Sequence, residues 1–305
     1  MKKTMSLLLA ALMLTALCFG ALAEAAALRV SCPSGAPALA LATLAAEHPD
    51  QYTFLAADTI TAEFASAEAD FIVAPVNAGA KLYKLGKSTY KLGAVLSWGN
   101  LFLASQKEGF KPEDIDGADI TLFGEGTINA AVTLYALEQN GIAPASVSYL
   151  AGAANTQQLL LTDENAIVVT AEPALTAARM KNDRITAYSL NELYQAATGF
   201  DGYTQAGLFI RADVAETQPE AAKAYLQLVK ESCARCSDDV SAVAEAAVAL
   251  EILPNAKVAA AAIPGCAIRY LSAPEAREQV ERTANIDLTQ FGGAVPADDF
   301  YYGAE

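Results

Sequence analysis

The residues best equipped for covalent or acid–base chemistry are few and far apart. The only histidine, His48, stands in Glu47-His48-Pro49-Asp50 at the end of an apolar helical run. That setting reads as an exposed helix terminus, distant along the chain from every other candidate. Cys233-x-x-Cys236 has the spacing of a redox or zinc motif, but no second pair stands at metal-ligand spacing. The run around it is helical, so both sulfurs share one face, and the simpler reading is a set of thiols that are free or structurally paired. Cys32 closes an apolar run with no base beside it, and Cys266 stands alone. There is no G-x-S-x-G elbow and no P-loop. Carboxylates are plentiful, but number alone has no specificity. The pattern points away from catalysis, and no cofactor and no metal ion is expected.

Binding chemistry has better candidates, all in turns. Five turns follow β-rich runs: Pro33-Ser34-Gly35-Ala36-Pro37, Pro75-Val76-Asn77, Ser97-Trp98-Gly99-Asn100, Gly124 to Asn129, and Ala171-Glu172-Pro173. All but the Trp98 turn open a helix, where unsatisfied backbone N–H groups meet a crevice. From these turns, Ser34, Gly35, Ala36, Asn77, Trp98, Asn100, Thr127, Asn129 and Glu172 are the expected ligand-binding residues. Each has a competing structural reading. Ser34 to Pro37 would start a helix, Asn77 and Thr127 would cap one, and Glu172 would face solvent. Trp98, the only tryptophan, is expected to form a wall of the cleft, since it stands between a strand and a Gly-Asn turn. Helix starts favour anions, yet Glu125 and Glu172 occupy two of them and no Arg or Lys accompanies these turns. The expected ligand is therefore neutral or cationic, with an aromatic ring stacked on Trp98 and a cationic group matched by Glu172.

These turns need a scaffold that brings strand ends together. Strands are expected over 28–31, 52–56, 71–74, 92–97 and 101–104, with helices over 37–47, 61–67 and 78–85 between them. A polar stretch at 106–117 interrupts the cycle. It restarts with strands at 120–123, 147–150, 167–170 and 185–188 and helices at 127–139, 156–161 and 173–181. A strand at 207–211 follows, and the chain after Asp213 reads as mainly helical. This alternation is the signature of parallel sheets covered by helices. Open α/β sheets bind ligands at the carboxyl ends of their strands. Two such units imply two lobes, with crossings near 100–106 and 205–211. The expected organisation is a signal segment at 1–23, a first lobe over 24–103, a second lobe over 104–207, and a return to the first lobe over 208–305.

The first residues read as a secretory signal: Lys2 and Lys3, an apolar run over 7–19, and an Ala21-Leu22-Ala23 cleavage site. A membrane anchor would need roughly 20 apolar residues. Cys18 is preceded by Leu17 rather than a small residue, so a free exported protein is expected rather than a lipid anchor at Cys18. The formal net charge is −15, which suits neither nucleic acid nor anionic lipid. A soluble monomer is expected.

Several segments in order carry a family resemblance: Gly35-Ala36-Pro37-Ala38, Glu68 to Asn77, Trp98-Gly99-Asn100, Thr127-Ile128-Asn129 and Ala171-Glu172-Pro173. With these the chain resembles bacterial ABC-transporter substrate-binding proteins of the sulfonate-, nitrate- and thiamine-precursor-binding group. The resemblance implies a type II periplasmic-binding fold, α/β in class, with two lobes joined by two crossover strands. It also implies capture of a small-molecule ligand by closure and delivery to a membrane permease powered by a separate ATPase. It does not transfer a ligand. Many relatives carry a clear lipid-attachment site, from which Leu17 departs. Two rivals use the same scaffold. One is a sensor that passes its closed state to a membrane partner. The other is a biosynthetic enzyme, which would need a cleft histidine that His48 does not supply.

Overall fold

The computed structural model describes residues 28–303. The signal segment, its cleavage site and Cys18 lie outside the described residues. The chain begins with β1 (Val30–Pro33), α1 (Ala42–Glu47), β2 (Tyr52–Leu55), α2 (Glu63–Ser66), β3 (Phe71–Pro75), α3 (Val76–Lys84) and β4 (Lys91–Ser97). It continues through β5 (Leu101–Ser105), β6 (Asp119–Phe123), α4 (Ile128–Gln139), β7 (Ser146–Leu150), α5 (Ala153–Thr162), β8 (Ile167–Ala171), α6 (Ala174–Arg179), β9 (Thr186–Ser189) and α7 (Leu190–Thr198). The last stretch holds β10 (Ala206–Ile210), α8 (Ala212–Thr217), α9 (Pro219–Asp238), α10 (Val240–Ala249), α11 (Ala256–Ala262), β11 (Ile268–Ser272) and α12 (Ala273–Ala284).

Two sheets result, one per lobe. The first has six strands in the order β11-β4-β10-β3-β1-β2, and the second has five in the order β7-β6-β8-β5-β9. The chain leaves the first sheet after Ser97 and enters the second at Leu101. It leaves the second after Ser189 and re-enters the first at Ala206. The boundaries expected at 103/104 and 207/208 therefore fall inside β5 and β10.

The sheets are mixed rather than purely parallel. β1 runs parallel to β2 and β3, and β6 runs parallel to β7 and β8. β10 runs antiparallel to β3 and β4, and β5 runs antiparallel to β8 and β9. The reason is geometric. A strand that leaves one lobe ends at the junction, so the strand that enters the other lobe starts there and runs the opposite way.

Burial follows the two-residue period of the strands. In β3, Phe71 and Val73 face a core covered by α1, α9 and α10, while Ile72 and Ala74 face the opposite core. That second core is shared by both lobes. It takes Ile72, Leu92 and Phe209 from the first sheet and Leu103, Ile120 and Val169 from the second, and it passes through Trp98 and Tyr203 between them. A small third core, with Val168, Leu160 and Leu175, lies behind the second sheet.

The tail after Asp213 is not all helix. Ile268–Ser272 forms β11, the edge strand beside β4, and α7 fills a stretch that the sequence pattern leaves blank. Tyr301 adds a bridge to Leu92, and the Tyr302 N–H donates to the Leu92 carbonyl at 2.8 Å. Among the described residues, no helix is long and apolar enough to cross a membrane.

Cys32, Cys233, Cys236 and Cys266 are free and buried in one core of the first lobe. Both sulfurs of Cys233-x-x-Cys236 share the buried face of α9. Burial pushes the Cys236 thiol up to about 12. A thiol so far from ionising is a packing group rather than a nucleophile.

Candidate functional site

A cavity of ≈ 300 Å³ opens where the two sheets meet. The first lobe supplies Ser34 after β1, Asn77 in the first turn of α3, and Ala206 at the start of β10. The second lobe supplies Thr127, Ile128 and Asn129 at the start of α4. Asn100 and Gln205, one from each connecting segment, form its floor, and Gln290 reaches in from the C-terminal stretch. The carboxyl-end rule thus locates the cavity, with the amino end of β10 and Gln290 of the C-terminal stretch as additions.

Two broader depressions, of ≈ 620 and ≈ 670 Å³, lie on the outside of the first lobe around Ala212 and Glu216. They take no residue from the second lobe. Volume alone would favour them, but only the smaller cavity is lined from both sides of the junction.

Five carboxamides dominate the polar lining. Gln205 Nε2 donates to Asn100 Oδ1 at 2.9 Å and to Asn129 Oδ1 at 3.5 Å. Asn100 Nδ2 donates to the Glu172 carbonyl at 2.9 Å, which fixes its plane. Gln290 Nε2 donates to the Gly126 carbonyl at 2.6 Å, a direct bond between lobes at the cavity mouth. Asn77 Nδ2 donates to Gln290 Oε1 at 3.5 Å, and Asn77 Oδ1 is buried with no hydrogen-bond partner among the described residues. Buried polar atoms are usually satisfied, and this oxygen is one of seven side-chain atoms among the described residues that are not. Among the described residues, no Asp, Glu, Lys, Arg or His lines the cavity, and no aromatic ring does.

The helix starts are partly satisfied by the chain itself. Thr127 caps α4 by accepting from the Ala130 N–H, as its position predicts. The Val76 N–H at the start of α3 donates to the Gln205 carbonyl at 3.0 Å.

The structure brings five of the nine expected residues to the cavity: Ser34, Asn77, Asn100, Thr127 and Asn129. Gly35 and Ala36 stand beside Ser34 but do not line it, and Ala36 is buried in the first lobe's core. Trp98 does not wall the cavity. It is 2 % exposed, its Nε1–H donates to the Arg269 carbonyl at 2.7 Å, and the Arg269 guanidinium stacks 4.6 Å from its ring centroid. Arg269 is held in turn by Asp201. The indole's one donor and one face are thus already used.

Glu172 is also turned away. Its carboxylate accepts from the Thr176 N–H at 3.0 Å and from Thr176 Oγ1 at 2.8 Å, at the start of α6. Burial raises its pKa, opposed by the Thr176 bonds. His48 is exposed at the end of α1.

Gln205 and Gln290 were not among the expected residues. Gln205 immediately precedes a readable strand, so its place at a junction was available as a signal. Gln290 comes from an irregular stretch, and only the fold brings it to the cleft.

Neither a protein-family model nor a curated protein matches the chain in sequence. Solved structures do match its shape. An ABC transporter protein from Parabacteroides distasonis superposes with a TM-score of 0.78 at 23% identity, covering 90% of this chain and 98% of that one. The periplasmic aliphatic sulphonate binding protein of Escherichia coli gives 0.66 at 16% identity, covering 86% of each chain. A Candida albicans gene product described as exhibiting the generic periplasmic binding protein structural fold gives 0.54 at 12%, covering 90% and 92%. This chain has the periplasmic-binding-protein fold. At these identities the likeness establishes the fold and nothing finer. On that fold, the junction between lobes is where Asn100, Gln205 and their neighbours converge.

Proposed function

We propose that this chain is the extracytoplasmic solute-binding component of an ABC importer. It captures a small organic molecule between its lobes and delivers it to a membrane permease driven by a separate ATPase. The observation that carries this reading is the junction cavity, which draws its lining from both lobes and from both connecting segments. A ligand there touches both halves at once, so it stabilises the closed arrangement by contacts that an open arrangement lacks. The connecting segments 98–100 and 199–205 mark the lobe boundaries and serve as the hinge.

The lining also argues against turnover. Its hydroxyls, Ser34 and Thr127, have no ionisable side chain beside them in the cavity. General acid–base chemistry needs a group that can exchange a proton near neutral pH. The chain is proposed to act as an exported monomer, released by cleavage after Ala23 rather than tethered at Cys18.

Small-angle scattering and thermal shift against a metabolite library test the proposal. A true ligand reduces the radius of gyration and raises the melting temperature by mass action. A chain that never compacts across a broad library, or that converts a compound unaided, is not a solute receptor.

A further inference from the structure

The cavity's chemistry narrows the class of molecule that the proposed receptor carries, an inference that rests on that reading of the site. Three observations bear on it. First, no charged side chain among the described residues lines the cavity. An ionised ligand would lose its water there without a formal counter-charge, a penalty that buried ions avoid only by pairing. Second, the partial charges that could replace such a partner are in part engaged by the chain itself. Val76 N–H is given to Gln205, Thr127 caps α4, and the exposed carboxylate of Glu125 stands just before that helix start. The whole chain, at a net charge of −15, also repels anions. Third, the polar lining consists chiefly of carboxamides, each offering a donor and an acceptor a few ångströms apart. Within it, Asn77 Oδ1 is an acceptor with nothing donating to it.

Apolar patches from Ile60, Ile128 and Ala57 complete the walls, with no ring available for stacking. The volume of ≈ 300 Å³ is that of about ten liquid waters, which suits a molecule of about ten to fifteen heavy atoms.

We infer that the ligand is an uncharged, non-aromatic organic molecule with an adjacent donor and acceptor, such as an amide, lactam or ureide. Its N–H meets Asn77 Oδ1, and its carbonyl accepts from the Asn129 amide of the second lobe. Neither a sulphonate nor an amine meets its complement in this cavity.

A matched screen tests the class. Short aliphatic and cyclic skeletons are each presented to the mature chain as primary amide or lactam, carboxylate, sulphonate and amine, and melting temperature and scattering are read for each. The expected result is a melting shift and compaction with neutral members, absent for the charged forms of the same skeleton. The best neutral member should also lose at least about tenfold in affinity in Asn129→Asp, whose carboxylate sets a charge in the cavity. Circular dichroism and an unchanged melting point of the unliganded variant show that it folds.

A charged form that binds more tightly than its neutral counterpart overturns the class, and so does a panel in which no neutral form responds. If a charged member nevertheless compacts the chain, the receptor reading survives and only the class falls. If nothing in the panel or the metabolite library compacts it, both fall.

Discussion

The hinge side of the junction and the cleft side differ in how closely they are packed. On the hinge side, Asn191 Nδ2 donates to both the Trp98 and Gly99 carbonyls at 2.9 Å, and Trp98 gives its N–H to the Ala267 carbonyl and its Nε1–H to that of Arg269. The packing is equally tight. A Cβ on Gly202 would lie 2.3 Å from the Trp98 carbonyl oxygen, and Gly99 holds φ at +82° against Tyr203. On the cleft side, Asn77, Gln205 and Gln290 are half-buried around a cavity of ≈ 300 Å³, and both sides leave buried polar atoms unpaired, Asn77 Oδ1 here and Asn191 Oδ1 and Arg269 Nε at the hinge. A region closed by packing resists change, whereas one that keeps a cavity between its walls can be filled by a ligand. The first is mechanical and the second recognises.

Substitutions that treat the two regions alike sharpen this contrast. The largest effect is expected at Trp98. Trp98→Ala should cost ~3–5 kcal/mol of stability, because it removes the largest buried side chain of the shared core. Urea denaturation measures it, and calorimetry on the folded variant should find ligand affinity little changed. Lost affinity with intact stability would move Trp98 to the cleft.

The reverse is expected at Asn77. Asn77→Leu removes an unsatisfied oxygen, so the unliganded protein should change by less than ~1 kcal/mol, while ligand affinity falls about tenfold or more. A large loss of stability would show that Asn77 holds the lobe together instead.

The smallest effect belongs to Glu172, which lies between the two regions. Its folded pKa is raised by burial, so the folded state holds its proton more tightly than the unfolded state. That contribution is present below the ordinary Glu pKa and is lost as pH rises through the folded value. Glu172→Gln should therefore gain stability relative to the parent as pH climbs from about 4 towards neutrality. Denaturation midpoints at stepped pH give the difference, and a gap that shrinks over that range contradicts the burial argument.

Much of the fold was legible because its strands are apolar runs punctuated by Gly and Pro. Phe71–Pro75 and Ile167–Ala171 need no tertiary information, and Thr127 announced its helix as a cap. β11 was harder to read. Ile268-Arg269-Tyr270-Leu271 is half-buried throughout, so it lacks the apolar run of a central strand. The antiparallel course of β5 and β10 was invisible too, since strand direction depends on which lobe the chain enters. In the site, turn position pointed to asparagines that the fold brings to the cavity. It also pointed to Trp98 and Glu172, which lie in the same set of turns but are buried and do not line the cavity. Which way a turn residue faces depends on partners such as Arg269 and Thr176, which are distant or unremarkable in sequence.

The order of strands in the first sheet also has a consequence for synthesis. Four of its six strands are translated before the second lobe and two after it, with Tyr301 adding a bridge near the very end. The second lobe is one uninterrupted stretch. A nascent chain therefore has every piece of the later lobe in hand while the earlier one still waits for its central strand, β10. Domains complete themselves as units once their residues are available, so the lobe begun first is finished last.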